Sequence, residues 1–233
     1  MLQAILFDFN GVIIDDEPLQ MKAYQQLLGA EGITLTEADY YGTLGMDDIS
    51  FVRAAFERSE RPLEDATLRT MLERKTELHR EMLGDGELPL FPGVVTFVKA
   101  LARSYPLGLV SMATRAEIDY VLTRASLEKY FSVIVSAEED RPCKPDPYCY
   151  RLGLDLLNRS RRKAQVLPLQ PADCLVVEDA PPGIESARAA GMRTLGVTNT
   201  VGEKELRAAG ADVVTQSLAD WTVDAVRHVF DKR

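Results

Sequence analysis

Short apolar runs recur along the chain and alternate with segments in which apolar residues follow a helical spacing. The runs are continuous, which is typical of strands buried on both faces of a parallel sheet. Six of them predict strands, at 3–9, 107–113, 132–138, 174–179, 194–199 and 212–215. Because helical segments separate these strands, we expect right-handed β–α–β units and a doubly wound, mostly parallel α/β sheet.

One long block interrupts this alternation. Between residues 16 and 87 the apolar residues follow helical stripes, and no run predicts a strand. The stripes consist of Leu19, Ala23, Leu27 and Leu28; of Ile49, Val52 and Phe56; and of Leu68, Met71, Leu72, Lys75, His79 and Met82. We therefore predict a helical cap domain, 16–87, inserted after the first strand into a core domain formed by 1–15 and 88–233.

Composition and charge narrow the class of protein. The chain has 233 residues, of which 46% are hydrophobic and 27% are charged, as in ordinary globular proteins. A net charge of -9 argues against a nucleic-acid-binding surface, which needs clustered Lys and Arg. The three cysteines form no C-x-x-C pair, and no signal peptide or apolar run of about 20 residues is evident. We expect a cytoplasmic protein, monomeric or weakly dimeric, without membrane or nucleic-acid partners.

Polar residues lie at or shortly after the carboxyl ends of four predicted strands. They are Asp8, Ser111, Lys144 and the pair Glu178–Asp179. The carboxyl ends of parallel strands share one edge of the sheet, where ligands bind, so we expect these side chains to converge. Carboxylates gathered this closely repel one another unless a cation lies between them. Hard oxygen ligands with few histidines favour Mg²⁺ over zinc.

Each of these residues has a simpler structural interpretation when it is taken alone. Asp8 could be a turn residue, and Ser111 could be a helix N-cap. Lys144 could be a surface charge, and Glu178–Asp179 could cap the helix that begins near Pro181. Their joint occurrence at neighbouring strand ends favours the functional interpretation.

Four segments in chain order resemble the motifs of the haloacid dehalogenase (HAD) superfamily. They are "DFNGVIIDDEP", "LVSMA", "CKPDP" and "VVEDAPPGIESARAAGM". The helical block after the first motif resembles the subgroup that contains β-phosphoglucomutase and many sugar-phosphate phosphatases. The resemblance covers nearly the whole chain and implies a Rossmann-like, HAD-like sheet with a helical cap.

The resemblance also implies an activity and a role for each residue. It implies a Mg²⁺-dependent phosphohydrolase that acts on a small phosphorylated metabolite. Asp8 matches the nucleophile that forms an aspartyl-phosphate, and position 10 matches the general acid/base. Ser111 and Lys144 match residues that bind the transferring phosphoryl group. The implied metal ligands are Asp8, the backbone carbonyl of Asn10, Glu178 and Asp179.

Asn10 departs from the pattern of the superfamily. An amide cannot donate a proton to a leaving group, and losing general acid–base help typically costs about 10²–10⁴-fold in rate. Asn10 could be an engineered substitution, could suit a substrate with a good leaving group, or could deamidate at the Asn10–Gly11 pair. It could also mark a weakened phosphatase or a phosphometabolite-binding protein. A sugar phosphomutase of the β-phosphoglucomutase type is a further alternative.

Two features of the predicted cap bear on substrate choice. Lys75 lies on an apolar stripe, so either its ammonium extends into water or it reaches an anionic group of the substrate. Members of the subgroup that the chain resembles often carry a cap lysine near this position, and both interpretations stay open. Asp47 and Asp48 lie where the mutases carry an arginine for a second phosphate. An acid there would repel that phosphate, which disfavours a mutase.

Overall fold

The sheet has the topology that the apolar runs predict. The computed structural model describes residues 1–137 and 142–231, in which six strands form one sheet in the order β3–β2–β1–β4–β5–β6. The strands are β1 (Ala4–Phe7), β2 (Leu107–Val110), β3 (Phe131–Val135), β4 (Cys174–Glu178), β5 (Arg193–Val197) and β6 (Val213–Thr215). All adjacent pairs are parallel, which confirms the predicted doubly wound α/β sheet. Glu138, the last residue of the run 132–138, lies outside the described residues.

The central strands are buried on both faces. Ile5 and Phe7 of β1 belong to one apolar core, whereas Ala4 and Leu6 belong to a second core on the opposite face. This two-sided burial explains why the strand runs are continuously apolar. The strand order reverses between β1 and β4, and ligands bind in the crevice at such a reversal.

Helices connect the strands and form a separate unit after β1. This unit consists of α1 (Glu17–Ala30), α2 (Glu37–Tyr41), α3 (Asp48–Arg58) and α4 (Asp65–Leu83). The others are α5 (Val94–Leu101), α6 (Arg115–Arg124), α7 (Tyr148–Lys163), α8 (Pro181–Ala189), α9 (Glu203–Ala208) and α10 (Val223–Phe230). Across the described residues, no helix combines the length and the apolar content that crossing a bilayer requires.

Helices α1–α4, which we call the four-helix unit, pack around an apolar cluster of their own. Tyr24, Leu28, Phe51 and Met71 belong to this cluster. Ile49 was expected on the buried stripe of α3 but is exposed, because the helix turns Phe51 and its neighbours inward instead.

The two chain segments that join the four-helix unit to the sheet run side by side. The backbone N–H of Asp15 donates to the carbonyl of Pro89 at 2.7 Å, and Ile14 forms an antiparallel bridge with Leu90. The domain limits 1–15 with 88–233 and 16–87 stay a prediction.

Candidate active site

The polar residues at the strand ends line one small cavity, which we call the catalytic cavity. Asp8 continues the β1 ladder, since its N–H donates to the carbonyl of Val177 at 3.0 Å, and Ser111 likewise donates to Val135 at 3.0 Å. The cavity measures about 80 Å³. It is lined by Asp8, Asn10, Glu17, Leu44, Gly45, Met46, Ser111, Met112, Lys144, Glu178, Asp179, Ala180 and Gly183.

Lys144 connects the predicted nucleophile to the acidic pair. Its Nζ lies 3.0 Å from Asp8 Oδ1 and 2.6 Å from Glu178 Oε1. Burial opposes the charge on Lys144, but the fields of Asp8 and Glu178 outweigh it and raise the pKa of the ammonium above its ordinary value. Lys144 therefore stays protonated beside Asp8. Tyr150 on α7, which sequence reasoning missed, donates its hydroxyl to Glu178 Oε1.

Three carboxylates meet at the crevice between β1 and β4. Asp8, Glu178 and Asp179 each offer an oxygen within 4.8 Å of the others. Burial, reinforced by Glu178, raises the pKa of Asp8 to about 7. Burial and then the charges of Glu178 and Asp8 raise the pKa of Asp179 well above its ordinary value. A divalent cation would remove this repulsion, and a set of hard carboxylate oxygens fits Mg²⁺.

Gly11 allows the loop after β1 to pack directly on this acidic group. Its φ is +72°, and a Cβ there would lie 1.8 Å from Asp179 Oδ2 and 2.7 Å from Thr200 Oγ1. The carbonyl of Gly11 accepts a hydrogen bond from Asn199 Nδ2 at 2.7 Å. The loop therefore needs glycine at this position.

The amide of Asn10 is directed towards the four-helix unit. Asn10 Nδ2 donates to Asp16 Oδ1 at 2.9 Å and to Asp16 Oδ2 at 3.0 Å. Asp16 is fully buried and also contacts Gln20 Nε2 at 3.1 Å and His79 Nε2 at 2.9 Å. The side chain at position 10 is thus engaged in a buried hydrogen-bond cluster.

A second cavity of about 90 Å³ adjoins the catalytic cavity on the side of the four-helix unit. We call it the cap-side cavity. It is lined by Asn10, Glu17, Gln20, Tyr24, Tyr40, Thr43, Leu44, Gly45, Met46, Asp48, Phe51, Lys75, Met112 and Ala113. Gln20 Oε1 is buried and has no hydrogen-bond partner in the described structure.

Lys75 does not extend into water. Its side chain is 2% exposed, and Nζ lies 3.1 Å from both carboxylate oxygens of Asp48 and 2.8 Å from Glu117 Oε1. Burial opposes the charge, but Asp48 and Glu117 raise the pKa of Lys75 above its ordinary value. The solvent-directed interpretation is therefore wrong. Binding of substrate by Lys75 stays a prediction, and the residue does line the cap-side cavity.

The structure also decides between two capping interpretations. Thr114, rather than Ser111, caps α6, and it forms a capping box with Glu117. Ser111 Oγ instead accepts a hydrogen bond from the N–H of Ala113 at 3.0 Å. The N-cap residue of α8 is Ala180, so neither Glu178 nor Asp179 caps that helix.

Comparison with known proteins identifies the family. The model of the haloacid dehalogenase-like hydrolases matches residues 2–191. The fructose-1-phosphate phosphatase YqaB of Escherichia coli K12 is 31% identical over 193 residues, which are 83% of this chain and 95% of YqaB. A phosphorylated carbohydrates phosphatase of Thermotoga maritima is 31% identical over 218 residues, 90% of this chain and 92% of its own. The fold matches β-phosphoglucomutase of Clostridium difficile with a TM-score of 0.85 at 21% identity, covering 100% of this chain and 98% of the other. This chain is therefore a haloacid dehalogenase-like hydrolase of the β-phosphoglucomutase and phosphatase-like subgroup.

Proposed function

We propose that the protein is a Mg²⁺-dependent phosphatase of small phosphorylated metabolites that works through an aspartyl-phosphate on Asp8. The observation that carries this proposal is the position of Asp8 between a protonated lysine, Lys144 at 3.0 Å, and the acidic pair Glu178–Asp179. Phosphoryl transfer depends mainly on positioning and on cations that gather charge from the phosphoryl oxygens.

The residues of the chain divide this work among them. Asp8 attacks phosphorus, which splits one difficult displacement into two easier ones. Lys144 orients Asp8 and neutralises charge on the phosphoryl oxygens, and Ser111 donates its hydroxyl to one of them. Asp8, the Asn10 carbonyl and Asp179, assisted by Glu178, would hold Mg²⁺. When bound, the metal would withdraw charge from the transferring group.

The cap-side cavity supports a phosphorylated sugar or polyol as the substrate. Glu17 and Asp48 line this cavity with carboxylates, and these acceptors suit the hydroxyls of a carbohydrate. Lys75, the cation among the described residues of the wall, is already paired twice. YqaB and the Thermotoga enzyme are named for phosphorylated carbohydrates, in agreement with this proposal. A second phosphate would find no free cation among these wall residues, which makes a phosphomutase the weaker candidate.

A phosphometabolite-binding protein without turnover is the alternative from another class. Asn10 favours it, because the residue cannot carry a proton. The retained set of Asp8, Ser111, Lys144 and Asp179 argues against it, since a site that only binds phosphate does not need a nucleophile.

Turnover of 4-nitrophenyl phosphate tests the proposal, because its leaving group needs little protonation. We expect the native protein to hydrolyse it with Mg²⁺ and to stop when EDTA is added. Asp8→Asn should abolish turnover, and Asp119→Asn, the same change on the exposed face of α6, should leave it intact. Acid quenching should trap phosphate on the peptide that contains Asp8. A native protein that binds phosphate esters without turnover would be the binding protein instead.

A further inference from the structure

The two cavities meet at a shared wall, and this wall fixes where the bond to phosphorus breaks. The catalytic cavity contains Asp8, Ser111 and Lys144, so it receives the phosphoryl group. The cap-side cavity contains none of these residues and therefore receives the leaving group. The oxygen that joins the two parts of the substrate must lie at the wall. Both cavities are lined there by Asn10, Glu17, Leu44, Gly45, Met46 and Met112.

Glu17 is the titratable side chain among these six residues. Asn10 carries an amide directed at Asp16, and the other four carry no ionisable group. We propose that Glu17 is the general acid–base of the reaction, in the place that the superfamily gives to position 10. This inference rests on the proposed phosphatase function.

The surroundings of Glu17 hold its carboxyl at the wall. Glu17 is the first residue of α1, and its Oε2 accepts a hydrogen bond from the hydroxyl of Tyr40 on α2 at 2.5 Å. That bond uses one carboxyl oxygen, so the other can face the substrate. Asp16, which is near in sequence, is fully buried and lines neither cavity, and it therefore cannot reach the leaving oxygen.

The protonation of Glu17 suits both halves of the reaction. Burial raises the pKa of Glu17 to about 7, although the hydrogen bond from Tyr40 acts to lower it. The other charges that act on it are Asp15 and Asp16, which raise the pKa further, and Lys75 on α4, which lowers it. Glu17 in turn helps to raise the pKa of Asp179 at the end of β4. A general acid–base works best when its pKa lies near the working pH, because both forms are then populated.

Atoms, protons and charges balance over the two steps of the proposed reaction. In the first step a carboxylate oxygen of Asp8 attacks phosphorus, the bond from phosphorus to the leaving oxygen breaks, and the proton of Glu17 passes to that oxygen. The products are an alcohol, the aspartyl-phosphate and the Glu17 carboxylate. In the second step water attacks phosphorus and gives one proton to Glu17. The bond to Asp8 breaks, which releases hydrogen phosphate and regenerates the Asp8 carboxylate and the Glu17 acid.

The decisive variant is Glu17→Gln, which preserves the size of the side chain and an oxygen that can accept from Tyr40. We expect kcat for an alkyl ester such as glycerol 1-phosphate to fall about 10²-fold or more, as expected for a lost acid. In the first turnover of 4-nitrophenyl phosphate, release of 4-nitrophenolate should change little, because this leaving group needs little protonation. Release of phosphate should slow with either ester, because the second step loses its base. With the alkyl ester, native kcat should decline as the pH rises above 7 and Glu17 loses its proton, and the variant should lack this limb. Glu37→Gln, on the exposed first residue of α2, is the matched control and should behave like the native protein.

A double variant separates proton transfer from folding or binding. Asn10→Asp restores a carboxyl at the shared wall, so it should recover alkyl-ester turnover when it is added to Glu17→Gln. In the native protein, Asn10→Asp should increase alkyl-ester turnover much less, because Glu17 already acts there as the general acid–base. Equal losses in the first-turnover release of the alkyl alcohol and of 4-nitrophenolate, or no rescue by Asn10→Asp, would overturn the role of Glu17. Failure of the native protein to turn over 4-nitrophenyl phosphate would instead overturn the phosphatase proposal itself.

Discussion

Gly11 shows how much of the site depends on the absence of one side chain. The loop after β1 passes so close to Asp179 that a methyl group would overlap its carboxylate, and the backbone there is left-handed. A non-glycine residue in this conformation costs of order 1–3 kcal/mol before any contact is considered. Packing of the loop and geometry of the acidic group are therefore coupled.

Gly11→Ala should weaken both stability and metal binding. We expect a loss of about 1–3 kcal/mol in the free energy of unfolding. We also expect Mg²⁺ affinity to fall about 10–100-fold, as when a group that orients a ligand is changed. Isothermal titration calorimetry would measure the Mg²⁺ affinity, and urea unfolding would measure the free energy of unfolding. Gly29→Ala on the exposed side of α1 has open space around it and should stabilise by up to about 1 kcal/mol. An undiminished Mg²⁺ affinity in Gly11→Ala would contradict the coupling.

Some residues of the candidate site could be predicted from the sequence more directly than others. Asp8, Ser111 and Glu178–Asp179 follow apolar strands directly, so the parallel sheet brings them together once its order is known. Glu17 and Tyr150 lie on helices, where the pattern reveals the buried face but not the distant group that it meets. Their positions depend on how α1 and α7 pack, which local sequence does not encode.

At the scale of elements, an ion pair joins α4 of the four-helix unit to α6 beside the sheet. Lys75 on α4 contacts Glu117 in the first turn of α6, and both side chains are almost completely buried. Breaking a buried pair leaves an uncompensated charge, whereas an exposed pair contributes little.

Lys75→Met should therefore destabilise the protein by about 3–5 kcal/mol, because Asp48 and Glu117 lose their shared cation. Arg159→Met removes one of the two exposed arginine partners of Asp155 on α7 and should cost less than about 1 kcal/mol. Equilibrium urea unfolding of both variants at pH 7 would compare them. Similar small losses would show that the buried pair is not stabilising.

The loss in Lys75→Met should also depend on pH. Burial opposes ionisation of Glu117, but Lys75 and then His79 outweigh it and lower the pKa of this carboxyl. A lowered pKa in the folded state adds stability above the unfolded value of about 4.3, and this stability is lost as the pH falls through the folded value. The native protein and the variant should therefore differ less in acid than at pH 7.

The strands illustrate a limit of pattern reading at this scale. The predicted runs 3–9 and 107–113 extend beyond the C-terminal ends of the strands Ala4–Phe7 and Leu107–Val110. Phe9 and Ala113 continue the apolar pattern because they are also buried, although the backbone there has already turned into the site loops. At these ends the chain stays buried after the strand geometry has ended. The apolar pattern of the sequence indicates burial and does not show where the strand stops.

For the whole molecule, the described parts of the sheet and the four-helix unit enclose two small cavities. Their volumes of about 90 and 80 Å³ are well below the roughly 300–1,000 Å³ of typical ligand pockets. If the substrate is a sugar phosphate, as proposed, we expect the four-helix unit to move away from the sheet to admit it and to exclude water during transfer on its return.

We expect Mg²⁺ to stabilise the whole protein, because the proposed site of three carboxylates exists in the folded state and not in the unfolded chain. A concentration of 100 times Kd would add about 2.7 kcal/mol. In thermal unfolding we expect Mg²⁺ to raise Tm relative to KCl of equal ionic strength. Asp179→Asn should remove this increase, and its metal-free Tm should not fall, because a repelling carboxylate is gone. An equal Mg²⁺ effect in this variant would place the metal elsewhere.

The paired state of Lys75 has a consequence for the evolution of substrate choice. The cap-side cavity already contains a cation, and Asp48 helps to cancel its charge. Replacing Asp48 by a neutral residue would leave Lys75 paired with Glu117 alone, so the wall would repel anions less without any new basic residue having to arise. Position 48 is therefore where divergence towards substrates that bear a second negative group would begin.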